Sequence, residues 1–538
     1  MNPYDQTILE KAESQEDLFY PTKRPVRDSP PPGAVNFAVL PDHERQTILG
    51  MGFEIQSDSI ASGNAGLPEH TTSVPHDLAP LERERLAREM LSGFRYCRIA
   101  GGLYWRGLTE DRRQLAPRWP EQLRELRELL KQAGVEGASL EYWSPPPYWK
   151  ANRRYEGAPP DETADPENRL RCYGGSFADD PEYRGDRERF LGEFADACST
   201  DVHTLRAAGI PVVMWALNNE PNVNTPYSSC FYEPDEWAET FAAVAPVIRR
   251  DHPQTAIIGD CADYTGRYLA RLQELYPDAA RFLDYHVLHT IGFTSQSVAP
   301  IAEAVRRKLR MERPIFQNEY EYLHGPATPD RCMNTVNNIL NWFQLAGAPA
   351  WFWIHALKPV TNAEASGYSL GFWMPADGLS PDELRELPQE LSQLRAGTWT
   401  WNPYNWHAVA GFLRHVPWDS VVLAVDESVS DADARVLALR RPDGQHVVVV
   451  SNHTTSELDV RIRTGRPQSR WAGYRFTPEE AGPEFTGTRL GLKDCIRLTG
   501  DDQGSGAPRA PGAHGDRRAA DVIRSRLSDR SWEFWVEQ

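Results

Sequence analysis

The sequence predicts an α/β protein, a (β/α)8 TIM barrel joined to an all-β sandwich side domain. Three observations predict it. From about residue 50 to 395, short apolar runs alternate with helical stretches, the order that parallel α/β folds require. Two of the runs, VVMWALNNEP (212–221) and PIFQNE (314–319), end in Asn then Glu. The two flanks, about 35–49 and 400–538, are rich in strand patterns.

Residues 1–34 read as a disordered tail, because TKRPVRDSPPPG is too rich in proline for regular structure. Val35–Leu40 then reads as a strand that turns at Pro41–Glu44 into Gln46–Leu49. Barrel strands are expected near 50–55, 96–99, 138–142, 212–217, 255–259, 283–288, 314–318 and 350–354. Helices are expected near 80–92, 120–133, 184–207, 235–250, 264–276, 298–310 and 329–345, with the eighth near 381–395. Leu123, Leu126, Leu129 and Leu130 recur at helical spacing and mark an outer barrel helix. The insert 151–183 follows the third strand and is expected on the catalytic face as a substrate-shaping loop. The barrel is bounded at 50–398, and 35–49 with 399–538 form the side domain. There, VLALRRPDGQHVVVVSN (436–452) is a hairpin across a Pro-Asp-Gly turn. Residues 500–521 read as a mobile loop. Leu527–Gln538 reads as the closing strand, with Trp532, Phe534 and Val536 on one side.

At 538 residues the chain accommodates both domains. Its net charge of −18 and pI near 5.3 argue against nucleic acid and anionic membrane as partners. No run is long enough to span a membrane. Seven cysteines without a CxxC pair fit reduced thiols better than a disulfide framework. With a polar, acidic Met1–Tyr20 lacking an apolar core, this predicts a cytoplasmic protein, or a secreted one if a leader has been trimmed from the sequence. No Cys/His cluster has zinc-ligand spacing, so neither metal nor cofactor is expected. The sequence sets no oligomeric state.

A carboxylate just past a buried parallel strand sits where barrel enzymes keep their chemistry, and Pro221 forces the chain out of the sheet there. A single such Glu is more often a solvated loop acid. Two of them, Glu220 and Glu319, suggest a pair facing each other across a barrel mouth, and paired carboxylates are the machinery of glycoside hydrolysis. Arg98, Trp143, His286, His289 and Trp353 lie on or beside other strand ends. Taken singly, each also fits a structural role: an ion pair for Arg98, core packing for the others.

The chain resembles glycoside hydrolase family 30 within clan A of the retaining (β/α)8 hydrolases. The resemblance rests on QTILGMGFEIQSDS (46–59), YCRIAGG (96–102), YWSPPPYWKAN (142–152), WALNNEP (215–221), IFQNEYE (315–321) and WFWIHAL (351–357). YNWHAVAGFLRHVPWDSVVL (404–423) and SWEFWVEQ (531–538) look like that family's side-domain strands. The resemblance spans most of residues 35–500 and the last segment. It implies a retaining β-glycosidase acting on a carbohydrate or glycoside, with Glu220 as acid/base and Glu319 as nucleophile. It further implies Asn219 at the sugar 2-hydroxyl, Arg98 beside Glu319, and Trp143, His286 and Trp353 facing the sugar. A transglycosylase or small-molecule tailoring enzyme on the same machinery is the alternative, and a non-catalytic carbohydrate-binding protein a further one. Two departures stand out. GGLYWRG (101–107) lacks the Asp that relatives use for distal hydroxyls, and Leu288 stands where relatives carry a Tyr. Both lie at the sugar and leave the catalytic pair in place.

Overall fold

The computed structural model describes residues 34–55, 78–107, 112–158, 165–225, 227–262, 265–309, 313–322, 325–361, 367, 369–427, 434–467, 469–494 and 521–538. Of the expected tail at 1–34 and loop at 500–521, all but Ala34 and Asp521 lies outside the described residues. The chain forms two compact units. One holds Leu49–Ala327 and Ala346–Trp406; the other runs to Ile48 and holds Thr328–Leu345 and His407–Gln538.

The first strand, β1 (Val35–Thr47), belongs to the second unit. Seven short parallel strands of the first unit follow: β2 (Gly50–Glu54), β3 (Tyr96–Gly101), β4 (Gly137–Tyr142), β5 (Val212–Ala216), β6 (Ala256–Ala262), β7 (Tyr285–His289) and β8 (Ile315–Tyr320). The longer β9 (Ala350–Pro359) pairs with both β8 and β2 and so closes an eight-stranded barrel. These strands are nearly continuous in apolar residues because a parallel sheet is covered on both faces. Between them run helices such as Gln122–Ala133, which buries Leu123, Leu126, Leu129 and Leu130 as their spacing predicts.

Inside the barrel, Tyr96 stacks on Phe352 at 6.1 Å, Phe352 on Phe316 at 6.1 Å, and Phe316 meets Tyr285 edge-on at 5.7 Å. A Cβ on Gly52 would lie 2.2 Å from the Phe352 ring, so only glycine leaves room for this aromatic layer. One step toward the C-terminal strand ends, two residues on from Gly52 and Tyr96, stand Glu54 and Arg98. There the interior turns from apolar to charged.

Two barrel expectations are corrected. The eighth helix near 381–395 is two short ones, Pro381–Glu386 and Gln389–Ser392, separated at Pro388, which supplies no N–H to continue the first. Between β9 and the end of the unit, two further strands extend the sheet: β10 (Ser369–Trp373) runs parallel to β9, and β11 (Trp399–Trp401) antiparallel to β10.

Among the described residues, the strands of the second unit form one nine-stranded sheet. Besides β1 it contains β12 (Val421–Glu427), β13 (Val436–Arg440), β14 (His446–Asn452), β15 (Leu458–Arg463), β16 (Arg470–Phe476), β17 (Thr488–Asp494), β18 (Val522–Leu527) and β19 (Ser531–Glu537). Its order is β17-β16-β19-β14-β13-β12-β1-β15-β18. β18 and β19 adjoin in sequence yet stand six places apart, and the Ser525 hydroxyl donates to Glu533 at 2.7 Å across them. The sheet therefore folds over itself into a sandwich around Val35, Phe37, Val436, Val448, Val460, Trp471 and Trp535. The expected hairpin over 436–452 pairs Val436 with Val450.

Three details differ from expectation. Residues 35–47 do not turn at Pro41; β1 continues with two irregularities against β12, whose pairing with Glu44 and Thr47 beyond the proline outweighs the local turn signal. The last strand is interior, between β16 and β14, and both its faces are buried. Trp535 enters the sandwich core, while Phe534 packs on Phe412 at 5.3 Å. Phe412 lies on Pro403–His415, a helix where strand was expected. Proline starts it, and Trp406, Val409, Ala410 and Leu413 are buried at helical spacing.

The helix Pro329–Gln344 groups with the sandwich, and its polar stripe explains why. Asn337 accepts from Ser451 Oγ at 2.6 Å, Asn341 from Arg435 Nε at 2.9 Å, and Gln344 from Ala438 N at 3.1 Å. These buried amides satisfy strand groups that would otherwise be orphaned.

Candidate active site

The C-terminal barrel ends gather a buried charged cluster around Arg98. Its Nη1 donates to Glu319 Oε2 and to Glu54 Oε2, each at 2.6 Å. Nε and Nη2 make a two-pronged contact with Glu141 at 2.9 and 2.8 Å, and Nη2 also reaches Asn219 Oδ1. Arg98, Glu54 and Glu141 are fully buried. Burial works against the guanidinium charge, but Glu141, Glu54 and Glu319 outweigh it and hold Arg98 well above its ordinary value. Asn318 Nδ2 donates to Glu141 at 2.7 Å, which fixes that carboxylate further.

Glu220 arrives from β5 by a strained turn. Its φ of +44° is one that side chains with a Cβ seldom adopt. The turn is held on every side: Asn219 N donates to Tyr142 O at 2.7 Å, Tyr232 N to Pro221 O at 2.8 Å, and Asn218 Nδ2 to Asn219 O at 2.7 Å. Strain held by such surroundings is characteristic of functional positions. Lys150, fully buried, donates to the carbonyls of Tyr155 (3.0 Å) and Ser229 (2.6 Å) and so ties the loop after β4 to the loop after β5. Burial lowers its ammonium to about 8.

Oxygens of Glu220 and Glu319 and a ring nitrogen of His289 all lie within 4.8 Å of one another. His289 Nδ1 is 3.0 Å from Glu220 Oε1 and 3.6 Å from Glu319 Oε2, and its Nε2 is 3.8 Å from Glu141 Oε1. Burial lowers this imidazole, but Glu319 and Glu220 outweigh burial and hold it above its ordinary value. An acid–base site and a cation site can share such spacing. A proton held on Nδ1 removes the lone pair that a metal would need.

Of the residues singled out from the sequence, the structure brings Arg98, Asn219, Glu220 and Glu319 together. The Trp143 ring lies 5.9 Å from the Arg98 guanidinium and 5.8 Å from Tyr227. His286 and Trp353 have other neighbours. His286 is buried among groups that leave both ring nitrogens unpaired, and burial followed by Arg313 pushes it down to about 4. The histidine that β7 carries to the carboxylates is His289, three residues on, while Leu288 is fully buried. The Trp353 ring packs on Tyr320 at 6.0 Å and Trp351 at 6.2 Å. The β2–β9 register shifts between Phe53 and Glu54, so that His355 is the residue paired with Glu54. His355 Nε2 is 3.5 Å from Glu321. Burial raises Glu321 well above the usual carboxylate range, with Lys358 opposing and Glu319, Glu54 and Glu220 reinforcing.

Glu54 and Glu141 were missed as site residues. Their signal was present: each is a lone charge inside a run otherwise apolar or small, which a doubly covered strand tolerates only with a partner.

No family model matches the chain, and no curated protein matches it. Solved structures do. The catalytic domain of GH30 xylanase C from Talaromyces cellulolyticus matches with a TM-score of 0.62 at 14% identity, over 94% of this chain and 100% of that one. A conserved exported protein from Bacteroides fragilis matches with 0.65 at 13%, over 93% and 99%. An endo-β-1,6-glucanase matches with 0.59 at 14%, over 96% and 97%. The chain thus has the fold of the GH30-like clan A glycoside hydrolases, a barrel with an all-β domain. Among the described residues no helix is long and apolar enough to cross a membrane.

Proposed function

We infer that the protein is a retaining β-glycosidase that works by double displacement. One observation carries this: an oxygen of Glu220 and one of Glu319 lie within 4.8 Å. Retaining enzymes hold their carboxyl groups about 5–5.5 Å apart, whereas inverting ones need about 6.5–9.5 Å to admit a water.

Glu319, gripped by Arg98, is the nucleophile and attacks the anomeric carbon. Glu220 gives a proton to the leaving oxygen and later takes one from water. Asn219 has its carbonyl oxygen committed to Arg98, which leaves its NH2 as the donor toward a sugar hydroxyl. Trp143 lies beside the Arg98 guanidinium of the same cluster. Both halves of this chemistry run on carboxylates and need no metal or cofactor. The substrate is a carbohydrate or glycoside, and the absence of an Asp from 101–107 leaves the sugar to be found by assay. A cytoplasmic location fits Cys97, Cys172, Cys198, Cys230 and Cys332, all buried free thiols.

The test is a panel of aryl β-glycosides (glucoside, xyloside, galactoside, fucoside, glucuronide) followed by azide rescue. Glu319→Ala should abolish turnover and, with azide, give an inverted glycosyl azide. Glu220→Ala should slow deglycosylation and give a retained one. Wild-type inertness across the panel would count against the reading.

A further inference from the structure

Resting on that reading, we propose that the catalytic acid is a couple of Glu220 and His289 that holds one transferable proton between Oε1 and Nδ1.

The geometry carries it. Nδ1 lies 3.0 Å from Glu220 Oε1, a hydrogen-bond distance, and only 3.6 Å from Glu319 Oε2. The imidazole thus stands beside both members of the pair. It is 4% exposed, so bulk water does not screen it.

The surrounding charges decide where the proton stays. Facing His289 are Glu220 beyond β5, Glu319 on β8, Glu141 on β4 and Arg98 on β3. Behind them stand Glu54 on β2, paired with Arg98, and Glu321, His355 and Lys358 at the ends of β8 and β9. Glu54, Glu141 and Glu319 share the single guanidinium of Arg98. A second cation at His289 therefore relieves an excess of negative charge, and burial alone does not remove it.

In glycosylation, a Glu319 oxygen forms a bond to the anomeric carbon while the bond to the leaving oxygen breaks. That oxygen takes the proton from Glu220 Oε1, and the couple is left one proton poorer, its imidazole neutral. In deglycosylation, water adds at the anomeric carbon, its proton returns to the couple, and the bond to Glu319 breaks. Protons balance over the cycle.

A couple loses its proton as a unit, at a pH set by its more basic member. With the imidazole present that pH lies above the ordinary histidine value; removing the imidazole takes away the more basic member and lowers it. The basic limb of kcat/KM should therefore move to lower pH when the imidazole is removed, by about one unit or more, at about tenfold in rate per unit above the limb.

The experiment uses His289→Gln, which keeps an N–H for Glu220 without titrating, and His289→Phe. Paired alkyl and 2,4-dinitrophenyl β-glycosides of the sugar turned over fastest are compared from pH 4 to 9. On the alkyl glycoside the basic limb should move down. The loss at pH 8 should be at least tenfold greater there than on the dinitrophenyl glycoside, whose leaving group needs no proton. An unmoved limb, with both substrates slowed alike, overturns the couple while leaving the glycosidase reading intact. Independently of activity, the His289 imidazole resonance, assigned by its loss in His289→Gln, should titrate above the ordinary value and move down in Glu220→Gln. Titration at or below the ordinary value overturns the proposal.

Discussion

Replacing Arg98 tests the site most severely, because one guanidinium holds three carboxylates and an amide. In Arg98→Met the side chain keeps nearly the same length and loses its charge. Glu54, Glu141 and Glu319 then stay buried without the contacts now seen at 2.6, 2.8 and 2.6 Å. Removing one member of a buried ion pair costs about 3–5 kcal/mol. The three pairs share one cation, so their costs do not add, and about 3–5 kcal/mol is the expected loss for the variant. That corresponds to roughly two to three and a half decades in the unfolding equilibrium. Arg98→Lys keeps the charge but offers a point donor where a planar fork now grips Glu141, and should lose about 1–3 kcal/mol. Arg98 acts through Glu319, so both variants should lower kcat more than they raise KM, with kcat/KM on the best aryl glycoside down at least about a hundredfold for methionine. Denaturant unfolding and steady-state kinetics read the two effects separately. A methionine variant within 1 kcal/mol of wild type in stability and within threefold in kcat/KM would refute the assignment of Arg98 as the anchor of the cluster.

Asp201, 1% exposed, accepts from Leu115 N and the Tyr142 hydroxyl, each at 2.9 Å, and burial raises it from 3.8 to about 8. A raised carboxyl contributes stability that is fully present below about pH 4 and is lost as pH rises through about 8; Asp201→Asn should match wild type below about pH 4 and exceed it by about 2–5 kcal/mol at pH 9. Equal alkaline losses in both proteins would contradict this. Gly102 has φ +82°, and a Cβ there would meet Ser144 O at 1.8 Å, so Gly102→Ala should lose at least about 2 kcal/mol in urea unfolding. Activity should survive EDTA treatment; loss that a divalent ion restores would count against carboxylate-only chemistry.

The barrel was legible because its strands are short apolar runs with punctuation, and because Glu220 and Glu319 stand at their ends. What escaped was governed by register. His286 and His289 both sit on β7, and only the three-dimensional strand end shows that His289 reaches the pair. Trp353 pairs with Phe53, and the register shift that follows brings His355 rather than Ile354 opposite Glu54. The resemblance to family side-domain strands over 404–423 implies strand at Pro403–His415, whereas Pro403 and the spacing of Trp406, Val409, Ala410 and Leu413 carry a helical signal. At Pro41 the error ran the other way: a local turn signal yielded to pairing with β12. The buried amides of Pro329–Gln344 look like a solvated face in sequence, since their strand partners lie far along the chain.

The central claim is that Glu319, and no other carboxylate of this crowded mouth, forms the covalent intermediate. Glu321 is the competitor: it follows two residues later, is 3% exposed, and lies beside His355. Its carboxyl, raised by burial, is a poor nucleophile, whereas Glu319 is paired with Arg98 at 2.6 Å. The most direct measurement is labelling with a mechanism-based 2-deoxy-2-fluoro glycosyl fluoride, followed by peptide mass spectrometry. The label should be found on Glu319, with one equivalent bound and activity lost in proportion. A label on Glu321 with Glu319 free would contradict the account.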